Sequence, residues 1–210
     1  NIAIGTNALA VQDGGQDAYN IAIGHNAGLS VSTGNQNVLI GGLAGDALTT
    51  GVRNVAIGAN ALSAEDAHGY NVAVGYSALS VQNAGADAYN VAVGYEAGKS
   101  VTTGDKNTII GSLAGDSIQD GVLNTVLGYD AGGGLTSAGS SVLIGGFAGR
   151  AITTGGGNVA VGYASLFTQG SNGSYSTAVG FRALEDQNIS SQSHNVAVGY
   201  YAGKDITSGD

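Results

Sequence analysis

Cysteine, methionine, tryptophan and proline are absent from the 210 residues, and lysine and arginine together number only six. Without cysteine there is no disulfide framework, a condition compatible with an extracellular setting. Six scattered cations against fifteen carboxylates leave a net charge of −9 with no basic stripe, so nucleic acid is not an expected partner. No apolar run approaches the roughly 18 residues of a membrane-spanning helix, so no membrane insertion is expected. Charge is scarce at 10% while hydrophobic residues make up 43%, which argues against a solvated coil even though 38 glycines alone would point to one. The two facts agree if the glycines are periodic and mark turns.

They are periodic. A phrase close to Asn-Val-Ala-Val-Gly-x-x-Ala-Gly begins at Asn1, Asn20, Asn37, Asn54, Asn71, Asn90, Asn107, Asn124, Ser141, Asn158, Ser176 and Asn195. The steps are 17 to 19 residues and tile the chain, so 1–210 reads as a single repeat domain with no linker. Residues 1–70 and 71–140 form a longer unit of four repeats each. The chain opens on Asn1 without a leader-like segment and is expected to be a fragment of a longer fibrous polypeptide.

Within a repeat, the first five residues alternate and are rich in Val and Ile, the pattern of a strand. Position five is Gly5, Gly24, Gly41, Gly58, Gly75, Gly94, Gly111, Gly128, Gly145, Gly162, Gly180 and Gly199, which predicts a backbone corner with positive φ or a site too tight for a Cβ. Position nine is Gly in seven copies, and those copies carry an aliphatic at position twelve, such as Val101 or Ile118. In the other five, position nine is Leu (Leu9, Leu62, Leu79, Leu166, Leu184) and position twelve is polar (Gln12, Glu65, Gln82, Gln169, Gln187). One large aliphatic per copy from either of two places is what a closed interior of fixed volume requires. The fold class expected is all-β: a parallel β-solenoid of twelve strand-turn-strand coils, a rod of roughly 58 Å at one strand spacing per coil.

Three finer expectations follow. The Asn column at position one either forms a side-chain amide ladder or merely starts turns. Positions two and four point inward. Position three, mostly Ala, and position eight, Ala in all copies but that of Ser165, cover the outside as an apolar stripe that sister chains bury.

Few residues carry chemistry. VGYEAGKS (93–100) looks like a phosphate loop, but Gly94 and Gly98 bracket three residues where four are needed, and Glu96 stands in the cradle. No cofactor is expected. His25, His68 and His194 lie in different copies without a nucleophile, so no catalytic residue is assigned and the chain is not expected to be an enzyme. Thr-Thr-Gly at 49–51, 102–104 and 153–155 is too irregular for an ice-binding array. Asp17, Asp46, Asp105, Asp116 and Asp210, with the Glu65-Asp66 and Glu185-Asp186 pairs, do not recur every nine residues as a calcium-binding β-roll demands, and no metal ligand is assigned. The candidate binding surface is an aromatic column at position six: Tyr76, Tyr95, Tyr129, Tyr163, Phe181 and Tyr200, facing a sugar or protein receptor or else packed on a neighbouring coil.

The stretch NVAVGYEAGKSVTTGDKNTIIGSLAG (90–115) resembles the repeats of phage tail-fibre proteins. It is also similar to the head repeats of YadA-like trimeric autotransporter adhesins, whose signature is Asn-Ser-Val-Ala-Ile-Gly. NVAIG at 54–58 and SVLIG at 141–145 come closest, and only Ser141 and Ser176 keep the signature's serine. The resemblance covers the whole chain and implies a trimeric, left-handed β-roll at a virion or cell surface. The expected role is a tail-fibre or adhesin segment, partnered by itself and by a host glycan or protein. A self-assembling extracellular filament is the alternative, and a calcium-binding β-roll a more remote one.

Overall fold

Val-Ala-Val triplets are too short to stand alone as strands and persist only by pairing with their copies. In the computed structural model, which describes residues 1–13, 18–169, 173–187 and 192–206, they do so in one twelve-stranded parallel sheet. Its strands, in spatial as in chain order, are β1 (Ile2–Ile4), β2 (Ile21–Ile23), β3 (Val38–Ile40), β4 (Val55–Ile57), β5 (Val72–Val74), β6 (Val91–Val93), β7 (Thr108–Ile110), β8 (Thr125–Leu127), β9 (Val142–Ile144), β10 (Val159–Val161), β12 (Thr177–Val179) and β14 (Val196–Val198). Register follows the repeat without slip, so Ala92 pairs with Ile109 and Ile109 with Val126. The chain is a parallel β-solenoid of about eleven turns. No helix among the described residues is long and apolar enough to cross a membrane.

The inward face is the reverse of the sequence expectation. Position three is buried, as Ala22, Leu39, Ala92 and Ile109 show, and so is position eight, as in Ala27 and Ala97. Positions two and four point outward and are half-buried or exposed along every strand. The reason is width. The interior is so narrow that rows of alanine, plus one or two large side chains per coil, fill it. Two β-branched residues per strand would not fit.

Core volume is shared between neighbouring coils. All four copies with a large position three (Leu39, Ile109, Val126, Leu143) have Gly at position nine. A Cβ on Gly45 would lie 2.7 Å from Leu39 Cδ2 and 2.8 Å from Leu48 Cδ1, and one on Gly28 of the preceding coil 2.6 Å from Leu39 Cδ1. The polar residues at position twelve are also inside. Glu65, Gln82 and Gln187 are fully buried.

Among the described residues a second strand is formed only as the short pair β11 (Thr168–Gln169) and β13 (Asp186–Gln187), with an isolated parallel bridge from Ser174 to Gln192 beside it; the other described parts of each coil are turns and irregular backbone. These turns still hydrogen-bond from coil to coil. Position seven is left-handed in every copy, with φ from 51° to 60°, whether it is Asn26, Leu113, Phe147 or Arg182. That conformation costs a non-glycine residue about 1–2 kcal/mol. It aims the N–H at the previous coil's position-six carbonyl, as in Leu113 to Tyr95 and Phe147 to Tyr129, both 2.9 Å.

The asparagine column is a buried ladder of side chain to backbone, with one amide-to-amide bond in addition, from Asn124 Nδ2 to Asn107 Oδ1 at 3.1 Å. Each Asn Oδ1 accepts the backbone N–H of the next column member, as Asn37 N to Asn20 Oδ1 at 2.8 Å and Asn107 N to Asn90 Oδ1 at 2.8 Å. Its Nδ2 donates within its own coil to the carbonyl at position fifteen, as in Asn20 to Gly34 and Asn107 to Gly121, both 2.8 Å. Ser141 keeps the chain going by accepting from Asn158 N–H at 3.3 Å. In the 19-residue coil from Asn71 that bond is not made and Asn71 Nδ2 is buried without a partner, while Gln82 bridges the column. Its Nε2 donates to Asn71 Oδ1 at 3.1 Å and its Oε1 accepts from Asn90 Nδ2 at 3.2 Å.

The position-five corners have φ between 129° and 143°, and stack backbone on backbone. A Cβ on Gly94 would sit 2.5 Å from the carbonyl oxygen of Gly111. Gly94→Ala is therefore expected to lower stability by at least about 2 kcal/mol in urea unfolding. Gly42→Ala, whose Cβ meets nothing within 4 Å, should stay within about 0.5 kcal/mol of wild type.

Candidate functional site

The outward alternation of the strand continues past both its ends. Position six lies beyond the corner glycine and points out, and the structure lines up its aromatic residues on one side of the sheet. Tyr76 and Tyr95 stack at 5.5 Å between centroids, and Tyr163, Phe181 and Tyr200 stack in series at 5.4 Å. Ser112 separates the first pair from Tyr129. Gly146 leaves a second gap, which Phe147 of position seven fills, edge-on to both Tyr129 (5.4 Å) and Tyr163 (5.7 Å). The rings thus pack on neighbouring coils and still expose 40% (Phe181) to 75% (Tyr200) of their surface. Glu96 holds the Tyr95 phenol above its ordinary pKa, first by a side-chain hydrogen bond and then by its charge.

A second column escaped the sequence reading. The residue just before each Asn also points out, in a left-handed turn: Tyr19, Arg53, Tyr70, Tyr89, Tyr175 and His194 all have positive φ. Tyr70 and Tyr89 stack at 5.0 Å, Tyr175 and His194 at 5.5 Å, and the Arg53 guanidinium lies over Tyr70 at 5.4 Å. Arg53 Nε donates to Gln36 Oε1 at 2.8 Å. Tyrosine before Asn or Ser at 19, 70, 89 and 175 was the available signal. The outer face of one coil therefore reads Tyr89, Val91, Val93, Tyr95: two aliphatic rows between two aromatic columns. This surface can bury apolar area or meet flat ligands, while its phenols supply hydrogen bonds.

The remaining candidates are dispersed. Lys99 pairs with Glu96 at 3.1 Å, a surface ion pair in place of a phosphate cradle. Thr49 and Thr102 hydroxyls donate to the carbonyls of Asp66 (2.9 Å) and Gln119 (3.1 Å), inside the coil-to-coil bonding. Burial raises the pKa values of Asp46 and Asp116. Asp17 and Asp210 lie outside the described residues. One group of three potential metal ligands occurs among the described residues, Glu65, Asp66 and His68, with ligand atoms within 4.8 Å of one another. Within it, Glu65 Oε1 accepts the His68 backbone N–H at 3.2 Å and faces His68 Nδ1 at 3.3 Å, while Oε2 is buried without a partner.

Burial is the largest influence on Glu65 and raises its pKa, with the His68 hydrogen bond and charge lowering it by less. A carboxyl whose folded pKa exceeds its unfolded one stabilises the fold below the ordinary carboxylate range, and that contribution is lost as pH rises through the folded value. Gln82 and Gln187 occupy the same position in sister coils. Glu65→Gln should thus stabilise the protein at pH 7 by about 1 kcal/mol and remove the gain in stability that Glu65 is expected to give on acidification. Thermal melts between about pH 4 and 8 check this, and superimposable profiles for the two proteins contradict it.

No protein-family description, no curated protein and no solved structure matches this chain.

Proposed function

We propose that this chain is a structural segment of an extracellular fibre or adhesin, of the phage tail-fibre kind, on a virion or cell surface. In this reading three copies, each of twelve coils, lie side by side and bury the outward face of the sheet against one another. The observation that carries it is the outward face made by positions two and four. Position four is aliphatic in all twelve coils, from Ile4 to Val198, and position two in nine, with Thr108, Thr125 and Thr177 in the other three, so no charge interrupts either row. A continuous apolar surface of that extent exceeds what soluble monomers present. Its regular register suits a partner with the same repeat, and the resemblance to tail-fibre and adhesin repeats implies three. The role is non-enzymatic. The aromatic columns at its margins and the turns beyond them remain available to a host glycan or protein.

Sedimentation equilibrium of the chain at tens of micromolar should give three times the monomer mass. Val55→Glu together with Val93→Glu should return monomers that keep the wild-type circular dichroism. A wild-type monomer, or a double variant that stays associated, would overturn the proposal.

A further inference from the structure

One place departs from the repeat on several columns at once. Across the coils that begin at Ser141, Asn158, Ser176 and Asn195, positions seven and ten hold Phe147 and Arg150, Ala164 and Phe167, Arg182 and Glu185, Tyr201 and Lys204. Elsewhere position seven holds Asn, Leu, Ser, Glu or Asp, and alanine occurs there only at Ala164. Flanked by Phe147 and Arg182, whose coils lie roughly 10 Å apart at two strand spacings, Ala164 forms the floor of a cavity of about 310 Å³. That lies at the small end of ligand-sized pockets.

The walls are aromatic. Phe147 meets Tyr163 at 5.7 Å and Phe167 at 6.4 Å, both edge-on, so the rings enclose the cavity at an angle and do not fill it. Arg150 lies 5.9 Å from the ring centres of both Phe147 and Phe167. Three of the six cations of an otherwise acidic chain, Arg150, Arg182 and Lys204, gather here.

Their hydrogen-bonding capacity is only partly used. Arg150 Nε donates to Asp130 Oδ2 at 2.6 Å. Arg182 Nη1 meets Glu185 Oε1 at 3.1 Å and the Tyr201 hydroxyl at 3.4 Å, while its Nε is buried without a partner. Glu185 Oε2 has no hydrogen bond, and Lys204 Nζ lies 3.9 Å from it. Those two open atoms are buried, so a ligand in the cavity meets the partly exposed guanidinium ends of Arg150 and Arg182 rather than them.

We infer that this cavity binds an acidic sugar residue of a glycan. The ring faces, electron-rich at their centres, match the C–H face of a pyranose. The guanidinium groups match a carboxylate, with fork geometry and charge assistance. Glu185 accepts sugar hydroxyls. An acidic peptide fits less well, because a peptide in a groove of this kind needs free backbone edges to pair with. Here those edges are consumed between coils, by Ala151 N–H to Phe167 O (2.9 Å), Leu166 N–H to Ala183 O (2.8 Å) and Thr168 N–H to Glu185 O (2.7 Å). The inference rests on the fibre reading only in giving that fibre a receptor chemistry.

The test is calorimetry of the full chain with three probes: a glucuronate-containing tetrasaccharide, its carboxyl-reduced neutral counterpart, and a glutamate-rich peptide of equal charge. Ala164→Leu serves as the filling variant, since Leu43 and Leu113 occupy position seven at φ 59° and 58° and show that the coil accepts leucine there. The acidic tetrasaccharide should bind. The reduced form and the Ala164→Leu protein should each bind about ten-fold more weakly or worse, the loss of roughly one charge-assisted contact. No binding, equal affinity for both saccharides, an undiminished Ala164→Leu, or preference for the peptide would each overturn the assignment. Sedimentation of the same samples separates this from the assembly: loss of binding with intact trimers removes only the pocket, and monomers that bind remove only the trimer.

Discussion

A buried asparagine that bonds in two directions is the constraint on which this structure depends. Its Nδ2 closes its own coil onto the position-fifteen carbonyl, and its Oδ1 receives the N–H of the next column member. The same side chain therefore sets the circumference of one coil and the stacking of the next. Burial raises the stakes, because each unmade bond would leave a desolvated polar group costing about 1–3 kcal/mol. The column tolerates Ser141, whose hydroxyl still accepts the next N–H, and Ser176, whose hydroxyl meets Ser193 Oγ instead, and Gln82 and Gln187 bond into it where the coil grows to 19 residues.

Once coils are held in register, the other features follow. Equivalent residues face one another at one strand spacing, so each corner's α-carbon meets the next corner's carbonyl and only glycine fits. A side chain too large for its own coil intrudes on a neighbour, as Leu39 does over Gly28 and Gly45. Rings in the same column stack. The fixed direction of the coils also produces the long outward face, since any residue type that alternates out of one strand alternates out of all of them.

Much of this was legible in the sequence, and the failures have physical causes. The period, the parallel pairing, the glycine corner and the exchange between positions nine and twelve are relations between residue types at fixed spacing, and stacking preserves them. The polarity of the strand was not legible. Larger Val and Ile normally mark the inside, but an interior this narrow takes the single residue at position three, Ala92 or Ile109, and leaves the pair at positions two and four, such as Val91 and Val93, outside. The left-handed turns at position seven were hidden because their strain is offset by a coil-to-coil hydrogen bond rather than relieved by glycine, so Glu96, Phe147 and Arg182 all occur there. Of the site, the position-six column was visible as a repeated letter. The cavity over Ala164 was not, because it arises from one small residue between large ones in adjacent coils.

The central claim, that the asparagine column holds the coils in register, is tested most directly by comparing Asn90→Ala with Asn90→Ser under native-state hydrogen exchange. The account predicts that alanine, which strands the Asn107 N–H, the Gly104 carbonyl and Gln82 Oε1, lowers protection across coils 71–124 by about 3 kcal/mol or more, while serine retains most of it. Equal protection in the two variants, or a loss confined to residue 90, would contradict it.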